Sequence, residues 1–249
     1  MSESSKENSL QKIFSIIEHM SDMKRKLSIQ EIAAALDFST ATVYRILSGL
    51  RDLGYVAQHP NKQYYLTYKL YEISGKIINR DGFVEKMIPL MNYFAMRYGG
   101  EIGLAVFNQN SIVHIINVGE NVSFGSLCPM PGQSFPAYCT AAGKVFLSQL
   151  RESELRNWLA RERMLPRTRH TIIDREALFE EIQKTKERGF GTVCGELYDI
   201  ISCISFPVWD RGANVIGTLN FSSTADDFHA RLSGSFTDDV KREMQYFGL

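Results

Sequence analysis

The chain changes its hydrophobic period at Gly54. Before it, apolar residues recur every three to four positions in three short runs; after it, two short runs alternate around a turn. The first run, residues 9–20, places Leu10, Ile13, Phe14, Ile17 and Met20 along one side of a helix. After the basic turn "DMKRK", the stretch "SIQEIAAAL" opens on Ser28 with Glu31 three residues on, the arrangement of a capping box. "DFS" then leaves room only for a tight turn. "STATVYRILSGL", residues 39–50, sets Val43, Ile46, Leu47 and Leu50 at i, i+3, i+4 and i+7, with Ser39 or Thr40 as its cap. Gly54 falls where a helix ends in a positive-φ residue. "YVAQH" and "QYYLT" around "PNK" predict a hairpin. Three helices, a tight turn before the third and a hairpin after it follow the order of a winged helix-turn-helix, whose third helix enters the major groove of DNA.

The outward face of that third helix fits such a role. Small and hydrogen-bonding residues lie near its N-terminus, so the backbone can approach base edges, and the helix end itself attracts phosphate. Arg45 can make a bidentate contact to guanine or hold a phosphate. The candidate DNA contacts are Ser39, Thr40, Ala41, Thr42, Tyr44, Arg45, Ser48 and Arg51 on this helix, Ser28 at the start of the second helix, and His59 and Lys62 on the hairpin. The plainer reading is an amphipathic helix with a solvated polar face.

Charge adds a mild asymmetry. The 249 residues have a formal net charge of zero, yet residues 24–69 hold seven Lys/Arg and three Asp/Glu, a difference of +4. A hydrophobic share of 44% with 22% charged residues suits a globular chain with a proper core. There is no N-terminal apolar segment of the secretory kind and no run of roughly 20 apolar residues, so the expected location is the cytoplasm, with the four cysteines free.

Beyond residue 67 the pattern is α+β. Residues 68–80 and 83–98 read as helices, the second with Phe83, Met87, Leu90, Met91 and Phe94 on one side and "GG" at 99–100 as its stop. "IGLAVF" and "SIVHIINV" flank "NQN" as a hairpin. "AGKVFLSQL", "ESELRNWLAR" and "DREALFEEIQKTKERG" read as helices, and "CISFPVWDRGANVIGTLNFSS" as two strands around a turn. A helix near 233–247 closes the chain. The expected domains are 1–67, a linking and dimerising helical segment 68–98, and 99–249. In "PAYCTAAGKVFL" the small residues Ala141, Ala142 and Gly143 either leave helix-start amides open to an anion or let the helix pack closely on a sheet.

"LSIQEIAAALDFSTATVYRILSGLRDLGYV", "YYLTYKLYEISG", "FPAYCTAAGKVFLSQL" and "ERGFGTVCGELYDIISCISFPVWDRGANVIGTLNFSS" resemble the IclR-type bacterial transcriptional regulators over nearly the whole chain. The winged-helix part alone is shared by many regulator families; its combination with the AAGK stretch and E-x(6)-C-I-x-x-P-V-x-D is specific. The resemblance implies a winged helix-turn-helix joined by a linker helix to a GAF-like effector domain, acting as a dimer or a tetramer on a palindromic operator. It also implies a small-molecule effector, a carboxylate such as a sugar acid or an aromatic acid. The effector positions it points to are Leu127, Tyr138, Thr140, Ala141, Ala142, Glu196, Cys203, Asn220 and Ser222. Asn220 and Ser222, two apart, share one face of a strand. The chain departs from the family in having Val193, Cys194 and Gly195 where acidic residues are usual before Glu196, and Ile200 where Gly is favoured.

Enzyme motifs fail on inspection. "AAGKV" lacks the first Gly and the Ser/Thr of a P-loop, with Tyr138 and Val145 in those places. "GFGTVC" ends on Cys194 rather than Gly, and Pro136 replaces the second Gly of G-x-S-x-G. The alternative of a different class is a GAF-type thiol redox enzyme using Cys128, Cys139, Cys194 or Cys203. No cofactor is expected. A metal site would need His114, Cys128 and Cys139 to converge, since His19, His59, His114, His170 and His229 show no ligand spacing. The third option is an interaction protein without DNA, using the stripe at Phe83, Met87, Met91 and Phe94.

Overall fold

The computed structural model describes residues 8–79, 82–119 and 129–247. Leu127 and Cys128 lie outside the described residues. The chain forms two compact units that part between residues 81 and 82.

The first unit contains α1 (Ser9–Asp22), α2 (Ile29–Leu36), α3 (Thr40–Asp52), β1 (Val56–Gln58), β2 (Tyr64–Leu66) and α4 (Lys69–Asn79). Its helix starts are capped locally. Asn8 and Gln11 form a capping box on α1, and Ser28 and Glu31 form one on α2. Asp37 takes the left-handed conformation at the end of α2, φ 53°, which turns the chain in four residues to the Ser39 cap of α3. Ile16, Met20, Leu27, Ile32, Val43, Ile46, Leu47, Leu50, Val56 and Tyr64 meet in one core. The four aliphatics of α3 are the ones its spacing turns inward. Gly54 stops α3 at φ 81°. β1 and β2 pair antiparallel, and Leu27 bridges to Tyr64 beside them. None of the described side chains of α4 is buried.

The second unit is a six-stranded antiparallel sheet in the order β5-β4-β3-β8-β7-β6. In chain order its parts are α5 (Phe83–Tyr98), β3 (Glu101–Asn108), β4 (Ser111–Gly119), β5 (Ser134–Pro136), a 3-10 turn (Ala137–Cys139), α6 (Ala141–Leu147), α7 (Glu152–Arg161), α8 (Arg175–Arg188), β6 (Gly191–Cys194), β7 (Ser202–Trp209), β8 (Val215–Ser223), α9 (Ala225–Ser233) and α10 (Phe236–Tyr246). One sheet face carries Phe206 and Phe221, which meet Phe94 of α5 and Phe236 of α10. Phe221 lies 5.6 Å from Phe94 and 5.2 Å from Phe236 between ring centroids, both edge-on. Such pairs contribute about 0.5–1.5 kcal/mol beyond their burial. The opposite face carries α6, over which the α7 and α8 side chains Leu155, Leu159, Leu178 and Ile182 pack with Tyr138 and Leu147. The whole is the α+β, two-domain fold expected: a winged helix-turn-helix and a GAF-like domain.

Several elements differ from their expectation. The seam lies at 81–82 rather than at 99–100, because Val84, Met87, Leu90, Met91 and Phe94 are buried within the second unit. The methionine and aromatic stripe of α5 is therefore core, not a free docking face. α6 ends at Leu147, and α9 is a separate helix capped by Thr224 where no helix was expected.

Strand β4 carries a bulge. Leu104 pairs with Ile116 and Ala105 with His114, so one residue of β4 is extra. His114 and Asn117, three apart, thereby face the same side; a regular strand would send them to opposite sides.

Candidate functional site

The residues singled out from the sequence fall on two surfaces, one on each unit. On α3, Thr40, Ala41, Tyr44, Arg45 and Arg51 are exposed while Ser48 is half-buried, all along one face. Among the described residues no hydrogen bond or ion pair holds the Arg45 guanidinium. The other candidates shape this surface. Ser39 Oγ accepts the Thr42 amide at 3.2 Å and donates to Thr42 Oγ1 at 2.9 Å. Ser28 Oγ donates to Glu31 at 2.8 Å, and Arg25 pairs with the same carboxylate at 2.6 Å. The Ser28 amide, then its hydroxyl and Arg25, lower the Glu31 pKa to about 2. Arg51 reaches both Ser48 (3.5 Å) and Gln58 of β1 (3.4 Å), tying α3 to the hairpin. At the hairpin tip the Lys62 amide donates to His59 O at 2.9 Å, closing a turn around Pro60 and Asn61. His59 Nδ1 bonds Asn61 Oδ1 at 2.9 Å, and Lys62 stands exposed at φ 67°. The α3 face exposes Arg45 and Arg51, and the hairpin tip exposes Lys62.

On the second unit, the face of the sheet under α6 is polar. Strand register sets Asn117, Gly103, Asn220 and Ser205 in a line across β4, β3, β8 and β7, with Cys203 and Ser222 opposite each other in a neighbouring row. Ser205 and Thr218 donate to Asn220 Oδ1 at 2.6 and 3.1 Å, which fixes that amide. Residues 195–201 then cross this face. Thr168 donates to Gly195 O at 2.6 Å and Thr171 to Glu196 O at 2.7 Å, holding the crossing in place. Tyr198 meets Phe135 at 6.2 Å, and Phe135 meets His114 at 6.0 Å. Phe135 sits on β5, at the far sheet edge from β6, so the segment after β6 roofs the polar floor. Sequence reasoning named neither Phe135, Tyr198 nor Asn117, and considered His114 only as a metal ligand. The Arg167 pKa is raised by the Tyr138 phenol and, less, by Cys139 and Tyr198.

The small residues at the α6 start are tightly packed. Thr140 Oγ1 accepts the Gly143 amide at 3.2 Å and contacts Pro136 O at 3.3 Å. A Cβ on Gly143 would lie 2.1 Å from Ala137 O, and one on Gly191 of β6 would lie 2.2 Å from Ala141 O. Close packing is what these distances require. Ala142 packs with Ala105 and Ile112, with Phe107 and Phe146 at the edge. Tyr138 is fully buried, and its hydroxyl donates to Leu165 O at 2.8 Å and accepts the Leu165 amide at 3.1 Å. Glu196 is paired with the wholly buried Lys144. Thr140, Ala141, Ala142, Tyr138 and Glu196 are therefore held by packing and pairing, while Asn220, Ser222 and Cys203 lie on the sheet face that carries α6.

Burial pushes the Cys139 and Cys203 thiols up to about 11, so both are protonated at neutral pH and poor nucleophiles. Cys194 accepts a hydrogen bond from Ser202 at 3.3 Å. Of the constellation His114, Cys128 and Cys139, Cys128 lies outside the described residues. Among the described residues no helix is long and apolar enough to cross a membrane.

Comparison with known proteins places both units in one family. Residues 9–60 match the IclR helix-turn-helix domain and residues 75–245 the bacterial transcriptional regulator IclR C-terminal domain. The HTH-type transcriptional regulator KdgR of Escherichia coli (strain K12) is 29% identical over 216 residues, 86% of this chain and 81% of the relative. The crystal structure of the Thermotoga maritima IclR superposes with a TM-score of 0.72 at 24% identity, covering 96% of this chain and 97% of that one. An IclR homologue from Microbacterium hydrocarbonoxydans, solved in complex with 4-hydroxybenzoate, has a TM-score of 0.78 at 16% identity over 96% of this chain and 97% of the other. These relatives are regulators rather than enzymes, and the thiol redox alternative finds no support among them. The chain belongs to the IclR family of bacterial transcriptional regulators.

Proposed function

We propose that the chain binds a palindromic operator as a dimer or a pair of dimers, and that a small acid held under the 195–201 roof alters its operator affinity. In this reading residues 1–67 contact DNA, with α3 in the major groove and Lys62 of the hairpin on the sugar-phosphate. Self-association rests on α4, an 11-residue helix without a buried described side chain that exposes Tyr71 and Ile77, with Tyr68 just before it. α1 likewise exposes Leu10 and Phe14. A helix this apolar with nothing buried gains from a partner helix. Two-fold symmetry would then set two copies of α3 about one DNA turn apart.

The observation that carries the effector reading is the polar row Asn117–Asn220–Ser205 on the sheet face toward which Phe135 and Tyr198 meet. A few convergent polar groups under an aromatic cover make a small-molecule site. Arg167 supplies charge for a carboxylate. The 4-hydroxybenzoate held by a homologue of the same fold favours an aromatic acid over a sugar acid. Ligand acts by binding one arrangement of the DNA-binding units better than another. The working place of such a protein is the cytoplasm.

The test is selection of genomic fragments by the purified chain, followed by salt titration of the winner and displacement with a panel of acids. Enrichment of one inverted repeat, with release or tightening by an acid, is the expected result. Equal binding to all fragments, with or without the acids, would overturn the reading.

A further inference from the structure

We propose that Tyr44 reads the methyl group of a thymine lying close beside the guanine that Arg45 holds, so that each operator half-site carries both bases. This rests on the reading of α3 as the helix that enters the groove and narrows it: it names a second base and the side chain that selects it.

The outward face of α3 has a fixed order. Val43, Ile46, Leu47 and Leu50 are buried and define its inward side. At about 3.6 residues per turn, Ala41 and Ser48 project almost straight away from them. Tyr44 stands about 60° to one side of that line and Arg45 about 40° to the other. The two small residues leave a shallow centre, and the two long ones flank it. A helix of this shape brings its backbone near the base edges while Tyr44 and Arg45 reach different bases. Ala41 to Arg45 covers about 6 Å of helix axis, or roughly two base-pair steps.

Tyr44 has no use within its own unit. It is 56% exposed, and among the described residues its ring meets no other ring or cation and its hydroxyl no hydrogen-bond partner. Other aromatic residues nearby are covered. Phe38 and Tyr65 lie under Lys12 and Lys26, each at 5.2 Å, while Tyr64 is buried and Tyr55 packs against the core. Tyrosine is also a poorer helix former than the lysine, arginine or glutamate that a solvated helix position would take. Its ring stabilises something only when a partner covers it.

The major groove selects that partner. Among the groups that distinguish base pairs there, the thymine methyl is the apolar one; the others are hydrogen-bond donors and acceptors. A phenol ring laid on that methyl buries apolar surface on both sides. Laid on a purine N7 it would cover an acceptor without replacing its water. The hydroxyl at the far end of the ring remains in contact with water or a phosphate. Arg45, with its charge and paired N–H groups, takes guanine O6 and N7 instead. One flank of the helix thus reads by hydrogen bonds and the other by apolar contact.

Selection from a random duplex library by the full-length protein supplies the operator. Fluorescence anisotropy then compares duplexes in which single thymines are replaced by uracil, which removes only the methyl group. The expected result is one thymine per half-site, within about two base-pair steps of a guanine, whose replacement weakens wild-type binding about fourfold, the worth of one buried methyl. In Tyr44→Ala the thymine and uracil duplexes bind alike to within about 1.5-fold. Arg45→Ala keeps the thymine preference, and so does Tyr44→Phe, which retains the ring. Lower salt brings a weakened variant back into range, with both duplexes compared at that salt. An enriched operator in which no uracil matters would overturn the proposal alone, as would a preference that survives Tyr44→Ala. If the selection enriches no sequence, with or without the acids, the proposal falls together with the DNA-binding reading.

Discussion

Lys144 Nζ lies 2.5 Å from Glu196 Oε1, with the two side chains 1% and 8% exposed. The same ammonium donates to Thr192 O at 3.2 Å, so α6, β6 and the roof segment are joined at one point. Burial raises the Glu196 pKa while Lys144 pulls it back, and Glu196 Oε2 is buried without a partner among the described residues. Removing one member leaves an uncompensated buried group. Lys144→Met should cost about 3–5 kcal/mol of stability, and Lys144→Met with Glu196→Gln distinctly less. Urea unfolding of the three proteins checks this; equal losses in the single and double variants would mean that the pair acts only by its shape.

Gly143 reverses the usual helix rule. Alanine in place of a helical glycine normally stabilises by roughly 0.5–1 kcal/mol. In α6 the new Cβ would strike Ala137 O, so Gly143→Ala should destabilise by about 1–3 kcal/mol or more. Gly75 in α4 has nothing within 4 Å of its would-be Cβ and serves as the control, where alanine should stabilise. Thermal melts of the two variants should shift in opposite directions.

Arg45 and Lys62 should fail differently. Arg45→Ala should weaken operator binding by about 1–3 kcal/mol and relax specificity at one position. Lys62→Ala should weaken all sequences alike and reduce the salt slope by about 1. Fluorescence anisotropy on operator and scrambled DNA, at several salt concentrations, separates a base contact from a phosphate contact. Unchanged specificity in a folded Arg45→Ala protein would remove it from the reading surface.

His114 makes stability depend on pH. Its folded pKa is lowered by burial from 6.5 to about 4. The unfolded chain takes up this proton first, so the contribution is full above pH 6.5 and is lost as pH falls towards 4. The difference amounts to about 3 kcal/mol at most. Comparing wild type with His114→Gln by urea unfolding between pH 7 and pH 4 should show a steeper decline in the wild type. Parallel curves would place the imidazole in contact with water.

The first unit was legible because its signals are local. Ser28 with Glu31, Ser39, Gly54 and the aliphatics of α3 each act within one or two turns, and each sits as its spacing requires. The second unit was legible in its helices and last hairpin but not in its site. Lys144 reads as a surface lysine until Glu196, 52 residues on, is found against it. Tyr198 looks like loop until it meets Phe135 across the sheet. The stripe of α5 suits either a partner or a core, and only the aromatic face of the sheet decides between them. The bulge leaves no mark in the alternation of "SIVHIINV", because isoleucine and valine fit either side of a strand.

That bulge gives β4 two phases. Ile112 and His114 keep step with one another, and Asn117 restarts the alternation half a pleat later. Deleting Ile115 would restore a single rhythm and leave His114 and Asn117, then two apart, on the same side of the sheet with their pairing to Ala105 and Gly103 unchanged. The bulge can thus absorb the loss of one residue that a regular strand could not, because the same deletion there would send one end of the strand to the other side of the sheet.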